Sequence, residues 1–491
     1  MRSVTTHKLG FHRGNKRVWI NNRKLTGAGF VEGLPIKCLY EDGKVTLNKT
    51  SSNDADFFVS NTKKGAVVDI NNARLTKSLD DFNKVEILYS DGQIIIRGSV
   101  SESRIKDREH QLINRIEKNE PLRKGGLFVG VGLLCRSIER GVKQAGVNIK
   151  QRFANELEEL PAEANMAGNE IWKNNEDGIF VQGDIFDLDM SLVPKLDTLI
   201  LGSPCTPFSK ANVQRQKEGR MDVYHDAGTV FQPILEVINR SNPAVVLLEN
   251  SPSFKGSIVD HIMSDVMARY GYKMTETTIK GSEFGGFEKR ERLCRVWFSE
   301  NLPYPNIDML AGYQQQNERP LSSMLEDVSN DSPEWSEMTY LKEKTEQAHN
   351  NHKHMVMCGK ETIIPTINAS YFKRQADTPM IGHQTDKDKS RLINVSEHCN
   401  IRDIHDDLKD AVTGIANGEF DGIINTRTNG SAAHRMLGNS CSPEAWEKVG
   451  EWLGKWLMSL IFEQENSVEP TLKELYIHKQ SAEDFGQLAL I

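Results

Sequence analysis

From residue 125 onward, short apolar runs of strand length alternate with stretches of helical pattern. The runs lie at 126–129, 152–155, 178–181, 198–201 and 244–248. Such alternation is typical of a doubly wound α/β sheet, in which helices join parallel strands. Ligands of these sheets bind at the carboxyl ends of the strands, so the residues at the ends of the five runs become the candidates for a functional site.

Small, acidic or reactive residues occupy all five of these positions. They are Phe128-Val129-Gly130-Val131-Gly132, Asn155-Glu156, Gly183-Asp184-Ile185, Gly202-Ser203-Pro204-Cys205 and Glu249-Asn250. A Gly-x-Gly turn alone is weak evidence, because glycine also serves purely backbone needs. Here Glu156 is suited to ribose hydroxyls and Asp184 to an adenine amino group. The combination predicts a nucleoside-bearing cofactor.

Cys205 follows Pro204 at the end of an apolar strand, in a loop that contains a second proline at Pro207. Because proline restricts the backbone, the loop would hold the thiol in place, which favours a nucleophile. A cysteine taken by itself is more often a small buried hydrophobic residue.

The first hundred residues contain an internal repeat. Residues 17–26 resemble residues 66–76, and residues 39–45 resemble residues 88–94, each of the latter pair around an Asp-Gly that favours a tight turn. Two copies predict one small β-barrel. The pattern resembles the swapped-hairpin DNA-binding domains of AbrB-type regulators and antitoxins, and a duplicated β-domain used for packing or protein contacts is the alternative.

Charge is distributed unevenly along the chain. Residues 1–100 carry 16 Lys and Arg against 10 Asp and Glu, whereas the net charge of the whole chain is -7. A basic N-terminal region on an acidic protein indicates contact with a polyanion there, unless these charges only form a solvated surface.

Length and composition set the class of protein. A chain of 491 residues suggests about two to four domains. The seven cysteines form no Cys-x-x-Cys pair, the N-terminus lacks a charged-then-apolar signal sequence, and no apolar stretch reaches the length of about 18 residues that a membrane span needs. We therefore expect a cytoplasmic protein without a metal site.

These patterns predict six segments. They are a tandem β-rich repeat at 1–100 that is a possible DNA-binding domain, a connecting helix at 101–124, a cofactor-binding and catalytic domain at 125–300, a reduced target-recognition region at 301–390, a return of the chain to the catalytic domain at 391–465, and a tail at 466–491. Within the return, 443–462 has a helical pattern.

The motifs occur in the order of one known family. Phe-x-Gly-x-Gly, Pro-Cys-x-Pro-Phe-Ser, Glu-Asn, Arg-x-Arg and Gly-Asn resemble the motifs of the cytosine-C5 DNA methyltransferases over residues 125–460. The resemblance implies a Rossmann-like methyltransferase sheet, S-adenosylmethionine as cofactor, double-stranded DNA as partner and a role in restriction–modification.

The resemblance also assigns the site residues. Catalysis falls to Cys205, Glu249, Arg290 and Arg292. The cofactor site comprises Phe128, Gly130, Gly132, Leu133, Glu156, Asp184, Ile185, Pro204, Asn439 and Ser440. DNA contacts fall to a mobile loop with Ser209, Lys210 and Arg215.

The chemistry explains why these residue types are needed. Carbon 5 of cytosine is a poor nucleophile, so a thiolate, here Cys205, would first add at carbon 6. Glu249 would protonate ring nitrogen 3, and Arg292 would stabilise charge through a fixed fork of hydrogen bonds to the base carbonyl. The target must leave the stacked duplex for this chemistry, so base flipping is implied.

Two departures from the family pattern stand out. Glu288 occupies the position where a glutamine usually precedes the arginines, next to DNA. The span between Arg295 and Pro365 is short and polar where family members usually carry a target-recognition domain. We therefore expect the basic N-terminal repeat to compensate by docking the enzyme on DNA.

Other functions remain open on the sequence alone. A tRNA cytosine-C5 methyltransferase would also have a small recognition region. A non-catalytic DNA-binding regulator could keep the scaffold, although retention of Cys205, Glu249 and Arg292 argues against decay. A nicotinamide oxidoreductase would explain Gly-x-Gly but leaves the Pro-Cys and Glu-Asn motifs unexplained.

Overall fold

The computed structural model describes residues 3–21, 23–204, 229–346, 353–404, 406–419 and 429–466. The chain divides into two compact units, before and after Arg108. The N-terminal unit contains ten strands and two short helices, followed by the start of a longer helix. They are β1 (Ser3–Lys8), β2 (Gly10–His12), β3 (Asn15–Ile20), α1 (Arg23–Gly27), β4 (Pro35–Glu41), β5 (Lys44–Lys49), β6 (Phe57–Phe58), β7 (Ser60–Thr62), β8 (Gly65–Asn71), α2 (Ala73–Ser78), β9 (Lys84–Ser90), β10 (Gln93–Gly98) and α3 (Val100–Glu117).

The two copies of the repeat interlock in the N-terminal unit. Strand β3 of the first copy pairs antiparallel with β8 of the second, and β5 pairs with β10. The strands form a six-stranded sheet, β1-β9-β10-β5-β4-β6, and a four-stranded sheet, β2-β3-β8-β7. Among the described strands neither sheet closes on itself. The two copies of the repeat, from which we predicted one small β-barrel, thus form two sheets around one apolar core.

The second unit is built around a seven-stranded sheet. Its strands and helices up to residue 299 are β11 (Leu122–Leu127), α4 (Leu133–Gln144), β12 (Ile149–Glu156), α5 (Glu159–Gly168), β13 (Ile179–Gln182), β14 (Thr198–Leu201), α6 (Phe231–Ser241), β15 (Val245–Asn250), α7 (Ile258–Arg269), β16 (Tyr272–Lys280) and β17 (Glu291–Ser299). The strand order is β13-β12-β11-β14-β15-β17-β16. Strand β17 is antiparallel to the other six strands, which are parallel to one another. The doubly wound α/β sheet predicted from the sequence is confirmed.

Apolar residues cover both faces of this sheet. One core contains α4 and the C-terminal helix, and a second contains α6 and α7. The central strand β14 is buried along its whole length and β15 is buried except at Glu249, as expected for parallel strands covered on both faces. The polar residues at their carboxyl ends are therefore the ones left for chemistry.

The first strand lies earlier than the sequence predicted. Helix α3 ends at Glu117, before Pro121, and β11 already starts at Leu122. The sequence had assigned Lys124 to the connecting helix because it is charged. In the structure the Lys124 ammonium is buried and donates to Glu139 Oε2 at 2.8 Å and to the carbonyl of Cys135 at 2.6 Å. A buried ion pair thus places a lysine within a core strand.

Residues 300–391 form a smaller, irregular region. It contains α8 (Thr339–Glu346) and a three-stranded sheet of β18 (Met355–Met357), β19 (Pro379–Gly382) and β20 (Ser390–Arg391). A separate small core lies beneath this sheet, with Phe287, Leu321 and Tyr371 among its members.

The chain then returns to the large sheet. The helices are α9 (Val395–Ile401), α10 (Asp406–Asn417), α11 (Asn429–Asn439) and α12 (Pro443–Asn466). Helix α12 covers the predicted helical stretch 443–462 and extends it to Asn466. It packs closely on α4, because a Cβ at Gly141 would lie only 2.5 Å from the backbone nitrogen of Glu451.

Candidate active site

The carboxyl ends of the five parallel strands lie at one edge of the large sheet. The strand register aligns one residue from each strand in a row across the sheet: Val181, Asn155, Leu127, Leu201 and Leu248. The candidate residues follow this row within three positions: Asp184, Glu156, Phe128, Pro204 and Glu249. The fold therefore brings together residues from five separate parts of the sequence.

The turn after β11 has an unusual backbone. Phe128, Gly130 and Gly132 all have positive φ angles of 55°, 53° and 81°. For Phe128 this conformation is sterically costly, and such strain persists mostly where function requires it. A Cβ at Gly130 would meet no atom within 4 Å, so this glycine leaves open space beside the turn.

Two asparagines of the α5 region fix the same turn. Asn165 Nδ2 donates to the carbonyl of Gly130 at 3.0 Å, and Asn169 Nδ2 donates to the carbonyl of Val131 at 3.2 Å. A Cβ at Gly132 would lie 2.3 Å from Asn169 Nδ2. Gly132 is thus required for packing, whereas Gly130 is free to face a ligand.

Glu156 lies beside this turn at the end of β12. Its Oε2 accepts from the amide of Gly130 at 2.7 Å, and its Oε1 accepts from the amide of Glu158 at 2.9 Å. Burial raises the pKa of Glu156, and the two amide hydrogen bonds oppose that shift. Carboxylate oxygens accept more than one hydrogen bond, so Glu156 can still accept from ligand hydroxyls.

Asp184 begins a short 3-10 turn, Ile185–Asp187, after β13. Its Oδ1 accepts from the amide of Phe186 at 3.0 Å, and Asn155 Nδ2 holds the preceding residue by donating to the carbonyl of Gly183 at 3.0 Å. The Ile185 side chain is buried in the core, while the Phe186 ring is half exposed. Open space at Gly130, the Glu156 and Asp184 acids and an exposed ring fit a nucleoside-bearing ligand.

Pro204 is the last residue of the described range 23–204 and lies just after the carboxyl end of β14. The amide of Gly202 donates to the carbonyl of Leu127 at 3.1 Å, which holds this end beside the glycine turn. Four predicted site residues lie outside the described residues: Cys205, Ser209, Lys210 and Arg215. Leu133, a predicted cofactor contact, has its side chain in the core at the start of α4.

Glu249 and Arg292 meet on neighbouring strands. Arg292 Nε lies 2.7 Å from Glu249 Oε1, and both side chains are mostly buried. Glu249 is at the end of β15, next in the sheet to the strand that leads to Pro204. The carboxylate and the guanidinium therefore lie together beside the chain that continues into Cys205.

Arg290 lies two residues before Arg292 and is 4% exposed. Its Nε makes no hydrogen bond within the described part of the chain. Burial, together with the positive charges of Arg292 and Arg402, lowers the pKa of Arg290 to about 9. A buried guanidinium nitrogen that makes no hydrogen bond is costly.

The C-terminal candidates lie at the end of α11. Asn439 is exposed, and the carbonyl of Ser440 accepts from Arg402 Nη1 at 3.1 Å. A Cβ at Gly438 would lie 2.4 Å from the backbone of Asn368. In the described ranges, no group of three or more His, Cys, Asp or Glu side chains could hold a metal ion, and no helix is both long and apolar enough to cross a bilayer.

Comparison with known proteins decides the family. The sequence profile of the C-5 cytosine-specific DNA methylases matches residues 126–455. The chain belongs to this family. Members of the C-5 cytosine-specific DNA methylase family use S-adenosylmethionine as methyl donor, and the nucleoside-type site at the glycine turn fits that cofactor.

Individual relatives match parts of the chain. The type II methyltransferase M.NlaX of Neisseria lactamica is 31% identical over 175 residues, which is 35% of this chain and 50% of the relative. M.NgoBI of Neisseria gonorrhoeae is 31% identical over 166 residues, or 33% and 49% of the two chains. The matches thus span about half the length of these curated relatives.

A solved structure shares the fold. The methyltransferase EhMeth of Entamoeba histolytica superposes with a TM-score of 0.50 at 16% identity, over 68% of this chain and 98% of that chain. At this identity the likeness concerns the fold alone.

Glu288 has a structural partner within the fold. The sequence placed this acid next to DNA. In the structure Glu288 is buried, its Oε1 lies 2.8 Å from Arg402 Nε, and its Oε2 accepts from the amide of Ile367 at 3.1 Å. Its negative charge is therefore balanced by Arg402.

Sequence reasoning missed several residues that shape the site. Asn165 and Asn169 hold the glycine turn, and Arg402 joins Glu288 to the carbonyls of Ser440 and Cys441. Their partners lie 30 or more residues away in the sequence. No local pattern could have revealed them, although Asn165 and Asn169 do share one helix face at a spacing of four residues.

Proposed function

We propose that the chain is an S-adenosylmethionine-dependent DNA (cytosine-5)-methyltransferase that acts through a covalent adduct between Cys205 and a flipped cytosine. The observation that carries the proposal is the contact between Arg292 and Glu249 at the end of β15. It places an acid and a guanidinium beside the strand end from which the Pro204-Cys205 motif continues. A fold that only bound a nucleotide at its Gly-x-Gly turn would need neither residue.

The cofactor would be held by residues at the neighbouring strand ends. Glu156 would accept from the ribose hydroxyls, Asp184 would accept from the adenine amino group, and the open space at Gly130 would take the chain of the methionine part. Bound S-adenosylmethionine supplies an electrophilic methyl group. The strained turn at Phe128 supports this assignment, because strain of that kind is concentrated at ligand sites.

The base would be activated by three residues. Addition of the Cys205 thiolate to carbon 6 turns the ring into an enamine whose carbon 5 can accept a methyl group. Glu249 gives a proton to ring nitrogen 3, and Arg292, which contacts Glu249, orients that carboxyl group and donates to the base carbonyl. Loss of the carbon 5 proton then expels the cysteine. Arg290, buried beside them, stabilises the negative charge that develops on the base.

The direct test is transfer of a tritiated methyl group to nucleic acid. Purified chain should label duplex DNA that contains unmethylated cytosine, and bisulfite sequencing should place the methyl group on carbon 5. Labelling of transfer RNA instead of DNA would show that the substrate is RNA and not DNA. Absence of labelling of either nucleic acid, with cofactor binding intact, would favour a non-catalytic regulator.

We further propose that the N-terminal unit docks the enzyme on duplex DNA. Two basic hairpin turns, Arg13-Gly14 and Lys63-Lys64, are exposed at opposite ends of the four-stranded sheet. Through the pairing of Ile20 with Val68, roughly eleven residues separate these turns, or about 36 Å at about 3.3 Å per residue. This is close to one helical turn of DNA, about 34 Å.

Charge reversal in the full chain tests this docking. Lys63→Glu with Lys64→Glu should weaken DNA binding and lower the dependence of binding on salt by about two ion equivalents. The matched control is Lys8→Glu with Lys84→Glu, which makes the same charge change on the six-stranded sheet. Equal effects of the two double variants would refute docking through the turns.

The cellular setting is also a proposal. The relatives named above are type II methyltransferases of bacteria, and another is an orphan methyltransferase of Bacillus phage SPR. We propose a bacterial or phage-encoded enzyme that works on DNA in the cytoplasm, as the modification partner of a restriction system.

A further inference from the structure

The glycine turn after β11 is held by two amide side chains that are almost fully buried. Asn165 and Asn169 are 1% and 2% exposed, and their Nδ2 atoms donate to the carbonyls of Gly130 and Val131. Gly130 and Gly132 permit several backbone conformations of the turn. Its conformation therefore depends on the hydrogen bonds that hold its carbonyl groups.

Each of these amides has one orientation that satisfies its oxygen. Asn165 Oδ1 accepts from the indole Nε1 of Trp172 at 3.1 Å, and Asn169 Oδ1 accepts from the amide of Ile171 at 3.3 Å. Because an amide oxygen cannot donate, a flipped Asn165 would place its NH₂ group against the indole N–H and its oxygen against a carbonyl. The indole of Trp172 thus directs Asn165 Nδ2 towards the turn.

Contacts on two sides hold the Trp172 ring. It packs edge to face against Phe180 with a centroid distance of 5.4 Å. A Cβ at Gly178 would lie 2.8 Å from Trp172 Cζ3, so a glycine is needed beside the ring. Phe180 belongs to β13, the strand that leads to Asp184. The tryptophan therefore joins the glycine turn to the strand that carries the candidate adenine contact.

The polar backbone groups of Gly130 are held from two directions. Its amide donates to Glu156 Oε2 at 2.7 Å, and its carbonyl accepts from Asn165 at 3.0 Å. A Cβ built on Gly130 would meet no atom within 4 Å, so its Cα side stays open while both polar groups are bonded. A change in the direction of the carbonyl would move this open side relative to the Glu156 carboxylate.

We propose that Asn165, oriented by Trp172, is a positioning residue for the binding of S-adenosylmethionine. Both ends of its amide bond to the protein, so it acts on the cofactor only through the turn. It fixes the Gly130 carbonyl so that the open side of the turn and the Glu156 carboxylate receive the cofactor together. Because the turn is already ordered, less binding free energy is lost in ordering it. The inference rests on the proposed cofactor site at this turn.

Calorimetric titration of the full-length chain with S-adenosylmethionine, without DNA, tests the inference. Asn165→Asp keeps the acceptor for Trp172 but removes the donor to Gly130, so the Kd of the cofactor should rise by about tenfold or more. Trp172→Phe keeps an aromatic ring against Phe180 and removes only the indole N–H. The Kd should then rise by a smaller factor, about threefold.

The matched control is Asn317→Asp in the irregular region. Asn317 is 6% exposed, and its Nδ2 donates to the carbonyls of Thr362 at 2.8 Å and Arg319 at 3.3 Å. The same chemical change should there lower the stability to urea and leave the Kd of the cofactor unchanged. A merely structural role of Asn165 would give the two variants the same Kd.

Three results would overturn the inference. They are a wild-type Kd in Asn165→Asp, a wild-type Kd in Trp172→Phe, and an equal rise of the Kd in Asn165→Asp and Asn317→Asp.

Gly130→Ala separates the positioning role from the site itself. Weakened binding in Gly130→Ala with a wild-type Kd in Asn165→Asp refutes the positioning role alone, whereas a wild-type Kd in both variants also refutes a cofactor site at this turn. The titration needs no methylation. A chain that shows the expected Kd values but labels neither DNA nor transfer RNA would contradict the proposed function alone.

Discussion

Arg292 and Glu249 approach to 2.7 Å, Nε to Oε1, across neighbouring antiparallel strands at the edge of the sheet. Arg292 lies two positions before Cys294, the residue paired with Glu249, so the two side chains lie on the same face of the sheet. The contact lets the guanidinium orient the carboxyl group that would protonate cytosine.

The first prediction concerns that pair. Glu249→Gln removes the proton donor but keeps the shape, so kcat should fall by about 10² to 10⁴ while DNA and S-adenosylmethionine still bind. Arg292→Lys should also lower kcat, because lysine cannot form the fork. Single-turnover methylation and cofactor titration measure both effects. Glu291→Gln, at a partly exposed neighbour on the same strand, is the control, and a similar loss in that variant would show that any charge change here is harmful.

The second prediction separates the two glycines of the turn. Gly132→Ala should destabilise the fold by about 1 to 3 kcal/mol, because its Cβ would collide with Asn165 and Asn169 and its φ is 81°. Gly130→Ala should cost only about 1 to 2 kcal/mol yet weaken S-adenosylmethionine binding, since its Cβ enters open space. Urea unfolding measures the stability of the two variants, and calorimetric titration measures their affinity for S-adenosylmethionine. Unchanged cofactor affinity in Gly130→Ala would argue against a ligand at this turn.

The third prediction concerns Glu288 and Arg402. Glu288→Ala leaves a buried guanidinium uncompensated, so the free energy of unfolding should fall by about 3 to 5 kcal/mol. Glu288→Gln should cost less, because its amide oxygen still accepts from Ile367. The control is Glu283→Ala, whose exposed ion pair with Lys280 should be worth less than about 1 kcal/mol. Equal losses in the two alanine variants would mean that the buried pair does not stabilise the fold.

The fourth prediction is a pH dependence. Burial raises the pKa of Glu444, at the start of α12, to about 7 from its ordinary value of 4.5. A raised pKa favours the folded state below pH 4.5, and this advantage is lost as the pH rises from 4.5 towards 7. Glu444→Gln stays neutral and should therefore be more stable than wild type at pH 8, by up to about 3 kcal/mol, and of similar stability at pH 4.5. Denaturant unfolding of both proteins at the two pH values measures this difference in stability. A difference that does not change with pH would contradict the raised pKa of Glu444.

Strands and local motifs could be predicted from the sequence because their signals are local. The strand at Thr198–Leu201 is buried throughout, and its bounds match the prediction. The first strand was misplaced because Lys124 looks like a helix residue, and its partner Glu139 has no signature of its own. The partner of Glu288 could not be predicted for the same reason, since Arg402 lies 114 residues away. In both cases a buried charged residue pairs with a residue distant in the sequence, and a local pattern does not reveal that partner.

The central claim is that Cys205 attacks cytosine, and covalent trapping measures it most directly. Duplex DNA in which 5-fluorocytosine replaces cytosine at the methylated site should form, with S-adenosylmethionine, an adduct that survives denaturation, because fluorine cannot leave carbon 5 as a proton does. Peptide mapping should place the DNA on Cys205, and Cys205→Ser should form no adduct while it still binds the cofactor. An adduct at another residue, or none from a wild-type chain that binds both DNA and cofactor, would contradict the account.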